Sequence, residues 1–103
     1  MEKYTAHYSL TELQALIQVL GRQAFTGIAL KGGQAMGLNI ANMLTIIARL
    51  TQKDLYKSMT TYDNHKVWQD VYHAKVTVKD QTKIAYIKLT LRDGKPVVQF
   101  KEK

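Results

Sequence analysis

The stretch TKIAYIKLTLRDGKPVVQFK, residues 82–101, decides the fold because it holds two β-strand patterns on either side of a hairpin signal. Alternate side chains along its first half would point to opposite faces of a strand, one face apolar and the other polar or aromatic. The apolar set is Ala85, Ile87, Leu89 and Leu91, and the other set is Tyr86, Lys88 and Thr90. Asp93–Gly94 favours a two-residue hairpin turn. We therefore predict an antiparallel pair whose apolar face packs against helices.

Two more strands are predicted before this pair, in YKSMTTY (56–62) and KVWQDVYHAKVTV (66–78), because both are rich in β-branched and aromatic residues. Asp63–Asn64 and the longer segment KDQT (79–82) are the predicted turns between them. The sequence thus indicates an antiparallel meander of four strands.

Alternation along these strands predicts which polar and charged side chains share a side of each strand. The first group is Lys57 with Met59, and the second is Gln69 with Val67, Val71 and His73. Parity does not decide which face of the sheet each group takes, because that depends on the register between strands.

The first half of the chain instead shows the helical period of about 3.6 residues. In SLTELQALIQVLG (9–21) the leucines and isoleucine fall on one face, Ser9 and Glu12 match a capping box, and Gly21 is suited to a C-cap. A short capped turn is also predicted at residues 51–54.

Two further helices are predicted between these segments. One begins near Thr26, should be disturbed at Gly32–Gly33, where each glycine opposes helix by roughly 1 kcal/mol, and ends at Gly37. Asn39 can cap the next, NIANMLTIIARL (39–50), which has one apolar side. Helices first and strands second predict an α+β fold, with N-terminal helices packed on a C-terminal antiparallel β-sheet.

The length of 103 residues fits a single domain, 1–103, and is too short for two comfortable cores. The absence of cysteine excludes a disulfide framework and thiolate metal sites. The opening MEKYTAHYSL is polar where a signal peptide needs an apolar run, and no window approaches a membrane span. We expect a soluble, cytoplasmic protein with no membrane partner.

The net charge of +7 comes from 15 Lys+Arg against 8 Asp+Glu, and it is concentrated in the second half of the chain. Residues 51–103 hold 11 basic and 6 acidic side chains. This excess favours polyanions, since lysines neutralise phosphates and release counterions. The alternative is a basic surface that serves only solubility.

The standard catalytic motifs are missing from the sequence. It contains no G-x-x-x-x-G-K, no G-x-G-x-x-G after a strand, no C-x-x-C and no G-x-S-x-G elbow. His7, His65 and His73 lie far apart and lack carboxylates at metal-binding spacing, so we expect neither a metal site nor a cofactor.

The remaining candidate is a basic sheet with aromatic, amide and hydroxyl side chains, which suits a polynucleotide. RNA carries its own nucleophile, the 2′-OH. A protein can therefore cut RNA without metal by positioning that hydroxyl and stabilising the negative charge of the phosphorane. A lysine at a strand start is usually only solvated, and a tryptophan is more often a core anchor than a base platform. Three classes stay open: a ribonuclease, a non-catalytic RNA-binding domain and a protein-interaction module.

The segment DLYKSMTTYDNHKVWQDVYH (54–73) resembles the motility quorum-sensing regulator family of bacterial toxins. Weaker similarity runs from the opening MEK to FKEK at 100–103. The resemblance implies a sequence-selective endoribonuclease of a toxin–antitoxin module, which cuts messenger RNA without metal and so stops translation. It also implies a fold similar to the RelE and YoeB toxins, with helices on an antiparallel sheet.

The same resemblance implies which residues form the site. The proposed catalytic positions of the family match Lys57 in YKSM, Gln69 in WQDVY and Tyr86 in AYIKLT. Lys57 would stabilise the phosphorane, Tyr86 would orient the 2′-OH or donate a proton, and Gln69 would position a phosphate or base. Met59 and Lys88, two residues along the same strand faces as Lys57 and Tyr86, are candidate RNA-binding residues.

One segment departs from the family pattern: HAKVTVKDQTK (73–83) stands where family members carry a basic, proline-containing run. His73 and Lys75 are expected to supply positive charge and bind RNA there, which leaves the base preference open. The family also implies a cognate antitoxin, with a zinc-containing domain joined to a helix-turn-helix domain. We expect DNA binding only through that complex, and antitoxin contact at an edge strand or a helical face.

Overall fold

The computed structural model describes residues 1–103 and has an α+β fold, which confirms the predicted class. The helices are α1 (Leu10–Leu20), α2 (Gly27–Ala35) and α3 (Ile40–Ala48). The strands are β1 (Glu2–Lys3), β2 (Leu55–Thr60), β3 (Trp68–Val78), β4 (Gln81–Arg92) and β5 (Lys95–Glu102). They form one antiparallel sheet in the order β1-β2-β3-β4-β5. The sequence did not predict β1.

The helices cover one face of this sheet, and the predicted apolar set of β4 lies beneath them. Ala85, Ile87 and Leu89 are completely buried, and Leu91 packs against the same core. The other large core side chains include Leu13, Ile17, Met43, Ile47, Val98 and Phe100. Burying each such side chain contributes roughly 1.5–3 kcal/mol, so this face holds the helices in place. The opposite face of the sheet carries no helix.

The helix caps follow the sequence closely, with one difference. The Ser9 hydroxyl accepts a hydrogen bond from the Glu12 amide at 3.3 Å, but the reciprocal bond from the Glu12 side chain does not form, so only half of the predicted capping box exists. Gly21 has a φ of 58° and donates its N–H to the Ile17 carbonyl, as expected of a C-cap. The predicted capped turn is a 3-10 helix at Gln52–Asp54.

The glycine pair does not disturb α2, so that prediction was wrong. A Cβ on Gly32 would collide with the carbonyl oxygen of Phe100, and a Cβ on Gly33 would collide with the thioether of Met43. The two glycines therefore let α2 approach both β5 and α3. Close packing offsets the entropy cost that the sequence alone would predict.

The two C-terminal hairpins both have tight turns. Asp93 and Gly94 have positive φ values of 51° and 77°, which confirms the predicted turn. Lys79 and Asp80 also have positive φ, 49° and 65°, and Val78 pairs with Gln81. The predicted longer turn over 79–82 is therefore wrong, because the strands pair up to a two-residue loop. None of the helices combines the length and the apolar character needed to cross a membrane.

Candidate active site on the open sheet face

The face of the sheet opposite the helices carries the side chains that the sequence singled out. Residues that pair across neighbouring strands point to the same face, so the register decides which side chains meet. The pairs are Lys57 with Val71, Met59 with Gln69, and His73 with Tyr86. The register therefore brings Lys57, Gln69 and Tyr86 to one face, around Val71.

Lys57 is held by a partner that the sequence did not predict. Its ammonium forms an ion pair with the carboxylate of Glu2, which lies opposite Met59 on the short strand β1. The hydrogen bond and the charge of Glu2 raise the pKa of Lys57, and Lys57 lowers the pKa of Glu2. Lys57 therefore remains a cation at neutral pH, suited to stabilising negative charge and unsuited to accepting a proton.

Two further lysines flank the ring of Tyr86. The ammonium of Lys88 lies 5.8 Å from the ring centroid, and that of Lys101 lies 5.3 Å from it. Lys101 lies on β5 directly opposite Tyr86 on β4. The sequence did not predict this pair. Counting outward from the Asp93–Gly94 turn would have found this pairing, because a two-residue loop sets the hairpin register.

The environment of Lys88 differs from that of Lys57. Burial lowers the pKa of Lys88, and the positive charges of Lys101 and Lys57 lower it further. Crowded cations disfavour one another's charged form, so the neutral amine of Lys88 is more accessible than that of an isolated lysine. The open face therefore holds one firmly protonated lysine and one lysine that loses its proton more easily.

A small cavity adjoins this cluster between the start of α2 and β5. It measures about 280 Å³ and is lined by Tyr86, Lys88 and Lys101 together with side chains that include Ile28 and Phe100. A concave site with apolar walls and a few charged groups is the usual form of a small-molecule or nucleotide subsite. The cavity therefore places apolar walls and two lysines next to the Tyr86 ring.

An irregularity in β2 brings an additional aromatic ring to the site. The register shifts between Leu55 and Lys57, so Tyr56 has no partner in β3, as at a β-bulge. The rings of Tyr56 and His73 stack with centroids 4.5 Å apart and planes at 19°. Nothing in the sequence predicts this contact, since a bulge depends on the pairing of two strands.

The surroundings of His73 oppose the positive charge expected of it. Burial lowers its pKa, with a smaller effect from the charge of Lys103, so the ring is neutral near pH 7. Its Nε2 atom is buried and has no hydrogen-bond partner. Lys75, two residues further along β3, is exposed and carries the charge on this part of the strand. Met59 is half-buried on the open face opposite Gln69.

The motif WQDVY divides between the two faces of the sheet. Gln69 lies on the open face, whereas Asp70 is completely buried on the other. The Asp70 carboxylate accepts hydrogen bonds from the amides of His7 and Tyr8 at 2.9–3.0 Å and from the Ser58 hydroxyl at 2.6 Å. Asp70 therefore ties down the segment that follows β1 and so helps to keep β1 in the sheet.

Trp68 and Tyr72, also in this motif, contribute to packing. The Trp68 ring stacks on His7 with centroids 5.1 Å apart, and the Lys3 ammonium lies 4.3 Å from its centroid. Tyr72 is completely buried, and burial raises its pKa to about 12. Trp68 is thus an anchor for the N-terminal segment, in line with the common role of tryptophan in cores.

No group of three or more His, Cys, Asp or Glu side chains could hold a metal ion. The polar groups near Lys57 are ammonium, amide, phenol and carboxylate groups. Such a set can bind a phosphodiester, stabilise negative charge and move protons.

Comparison with known proteins relates this surface to one group of sequences. The family described as motility quorum-sensing regulator, toxin of MqsA, matches residues 5–102. The mRNA interferase toxin MqsR of Escherichia coli (strain K12) is 38% identical over 103 residues, which cover 100% of both chains. Both matches include the strands that carry Lys57, Gln69 and Tyr86.

Proposed function

The chain belongs to the motility quorum-sensing regulator family, toxins of MqsA, and from this membership we propose that it is an mRNA interferase, an endoribonuclease that cuts messenger RNA. The relative from Escherichia coli is named for that activity. The observation that carries the proposal is the register that gathers Lys57, Gln69 and Tyr86 on the open face of the sheet. A cognate antitoxin neutralises the toxin, and cutting messenger RNA inhibits translation and growth.

The proposed reaction uses the 2′-OH of RNA as the nucleophile. The bond from the 2′-oxygen to phosphorus forms and the bond from phosphorus to the 5′-oxygen breaks. The 2′-OH gives up its proton and the leaving 5′-oxygen gains one. Negative charge builds up on the phosphorane oxygens during this step, so preorganised cations lower the barrier. Lys57 fits this role because its pairing with Glu2 keeps it protonated.

The proposal assigns the acid and base roles according to the environments of the two lysines. Lys88, whose pKa is lowered, is the group best suited to accept the 2′-OH proton, while Tyr86 orients the hydroxyl. Lys57, which stays protonated at neutral pH, is assigned the proton transfer to the 5′-oxygen. Gln69 lies opposite Met59 and beside Lys57, where its amide can hold a phosphate oxygen or a base edge.

Four finer expectations are part of this proposal. The antitoxin is a zinc-containing protein with a helix-turn-helix domain. The toxin contacts DNA only in complex with it. The reaction needs no metal ion or cofactor, and it takes place in the cytoplasm. The expectations about the antitoxin and DNA come from the family resemblance. The absence of a metal ion is expected from that resemblance and from the scattered histidines, and the cytoplasm from the lack of cysteine and the polar N-terminus.

One experiment tests the proposal directly. Defined RNA is incubated with the protein in EDTA, and the cut ends are mapped for wild type and for the single variants Lys57→Ala, Gln69→Ala and Tyr86→Phe. We expect wild type to cut at selected sites and each variant to lose at least about tenfold in kcat, since such groups commonly contribute 10²–10⁴-fold. If Lys57→Ala protein cuts as fast as wild type, the proposed site is wrong. If wild type binds RNA without cutting it, the protein is a binding module.

A further inference from the structure

A larger cavity lies at the edge of the sheet, between α3 and the second half of β3. β2 pairs with β3 only as far as Tyr72, so residues 73–78 have no neighbouring strand on that side. The space there measures about 1150 Å³ and is bounded by α3, residues 53–56 and residues 73–79. We call this space the edge groove. Its volume is about four times that of the cavity beside Tyr86.

Unpaired backbone groups line the edge groove. Backbone groups along an antiparallel strand point alternately to its two neighbours. The Thr61 amide donates to the Val67 carbonyl, so the odd-numbered residues of β3 direct their backbone groups toward the β2 side. Lys75 and Thr77 therefore present their N–H and C=O groups to the groove. No other element donates to or accepts from these groups.

The edge groove is strongly basic. Its charged lining consists of Arg49, Lys53, Lys75 and Lys79 against the single carboxylate of Asp54. That carboxylate already accepts hydrogen bonds from the amide and hydroxyl of Thr51, and all four cations are exposed. A concave surface lined by one sign of charge concentrates ligands of the opposite sign.

The edge groove is continuous with the candidate active site. The stacked rings of Tyr56 and His73 lie at the junction and line the groove. The Lys57 ammonium is 5.4 Å from the centroid of the Tyr56 ring, which is 49% exposed. At about 3.4 Å per strand residue, Lys75 lies roughly 14 Å along β3 from the point opposite Lys57. A chain bound at Lys57 can therefore enter the groove within a few nucleotides.

We propose that the edge groove binds the single-stranded RNA next to the cleaved bond. Tyr56 stacks on an unpaired base, the four cations hold phosphates, and the open backbone groups of Lys75 and Thr77 form hydrogen bonds with base edges. This inference rests on the proposed function and adds to it the path of the substrate and the source of sequence preference. A protein strand can also pair with a free edge. The cations, the ring stack and the continuity with Lys57 favour nucleic acid.

The test compares two RNAs that share one cleavage site, a minimal RNA and the same RNA extended by about five nucleotides on either flank, a length within the usual range for single-strand sites. The groove variant combines Lys53→Gln, Lys75→Gln and Lys79→Asn, since asparagine tolerates the positive φ of residue 79. The matched control combines Arg22→Gln, Lys31→Gln and Lys95→Gln, which are exposed and line neither cavity. Tyr56→Leu is paired with Tyr62→Leu, because Tyr62 is 98% exposed.

For wild type and for both controls, extension on one flank should raise kcat/KM by at least about tenfold, the effect of one stacked base. For the groove variant and for Tyr56→Leu, the ratio of kcat/KM for the extended RNA to that for the minimal RNA should fall toward one. Binding of the extended RNA with a 2′-deoxy group at the cut, which prevents cleavage, supplies a second measurement. The slope of log affinity against log salt should become less steep by about 2 in the groove variant. The variant removes three lysines, and each phosphate contact contributes about 0.7 to the slope.

An unchanged length preference and an unchanged salt slope in the groove variant would overturn the inference. If the groove variant handles RNA like wild type but loses binding to the purified antitoxin, the groove is a protein-docking site and the inference is equally wrong. Failure of the proposed function gives a different result, in which wild type cuts neither RNA. The 2′-deoxy binding data then still decide whether RNA enters the groove.

Discussion

The carboxylate of Glu2 is paired with the ammonium of Lys57, across 55 positions of sequence. The first strand of the chain thus delivers a negative charge to the lysine that we propose stabilises the phosphorane. A bound phosphodiester would compete with Glu2 for the same cation. Glu2 therefore both orients the Lys57 side chain and limits its affinity for phosphate before substrate arrives.

We predict that Glu2→Gln lowers KM for RNA by about threefold, as expected for removing one partner of an exposed ion pair. The pKa of Lys57 should fall toward its ordinary value, because the charge that raises it is gone. A steady-state assay with a single-site RNA measures the KM. Glu12→Gln removes an equal charge on α1 and should leave KM unchanged. A higher KM in Glu2→Gln would mean that orientation of Lys57 outweighs competition for it.

The lowered pKa of Lys88 predicts a pH dependence. If Lys88 accepts the 2′-OH proton, kcat/KM rises with pH as the Lys88 ammonium loses its proton. Lys101→Gln removes a neighbouring positive charge, and this loss raises the pKa of Lys88. The acidic limb of the profile should therefore move to higher pH. The measurement is log kcat/KM against pH for both proteins. Lys83→Gln, outside this cluster, is the control, and an unmoved limb in Lys101→Gln would exclude Lys88 as the base.

Asp70→Ala should destabilise the fold severely. The substitution leaves the amides of His7 and Tyr8 without their acceptor in a buried site, and hydrogen bonds to a charged group contribute about 1.5–3 kcal/mol each. We expect a loss of about 3 kcal/mol, or a fall in Tm of about 15 °C for a domain of this size. Thermal unfolding followed by circular dichroism measures it. Asp63→Ala, in the exposed turn after β2, should change Tm by no more than a degree or two.

Gly32→Ala and Gly27→Ala should have opposite effects, although both glycines lie in α2. A methyl group at Gly32 meets the Phe100 carbonyl and should cost about 1–3 kcal/mol. A methyl group at Gly27 meets nothing within 4 Å and should stabilise the helix by about 0.5–1 kcal/mol. Urea unfolding of the two variants against wild type tests the pair. If Gly32→Ala were as stable as wild type, α2 would be able to shift away from β5 at little cost.

Much of the local structure could be predicted from sequence. The change of period from 3.6 to 2, the caps at Ser9, Gly21 and Asn39, and the Asp93–Gly94 turn all depend on residues near one another in the chain. The predictions failed at elements whose stability is not local. β1 has two residues, too few for any period, and it forms only because β2 and the buried Asp70 hold that segment.

By itself, then, the sequence determined the α+β class, the order of the elements and a motif that identifies a toxin family. Only the tertiary structure decided that Lys57, Gln69 and Tyr86 share the open face, because a slip of one residue in either strand pairing would send Lys57 or Tyr86 to the other face. Only the structure pairs Glu2 with Lys57 and places Lys88 among other cations, and these contacts set opposite pKa shifts in identical side chains. The physical reason is that electrostatic and packing energies depend on distance in space, whereas a sequence pattern reports only distance along the chain.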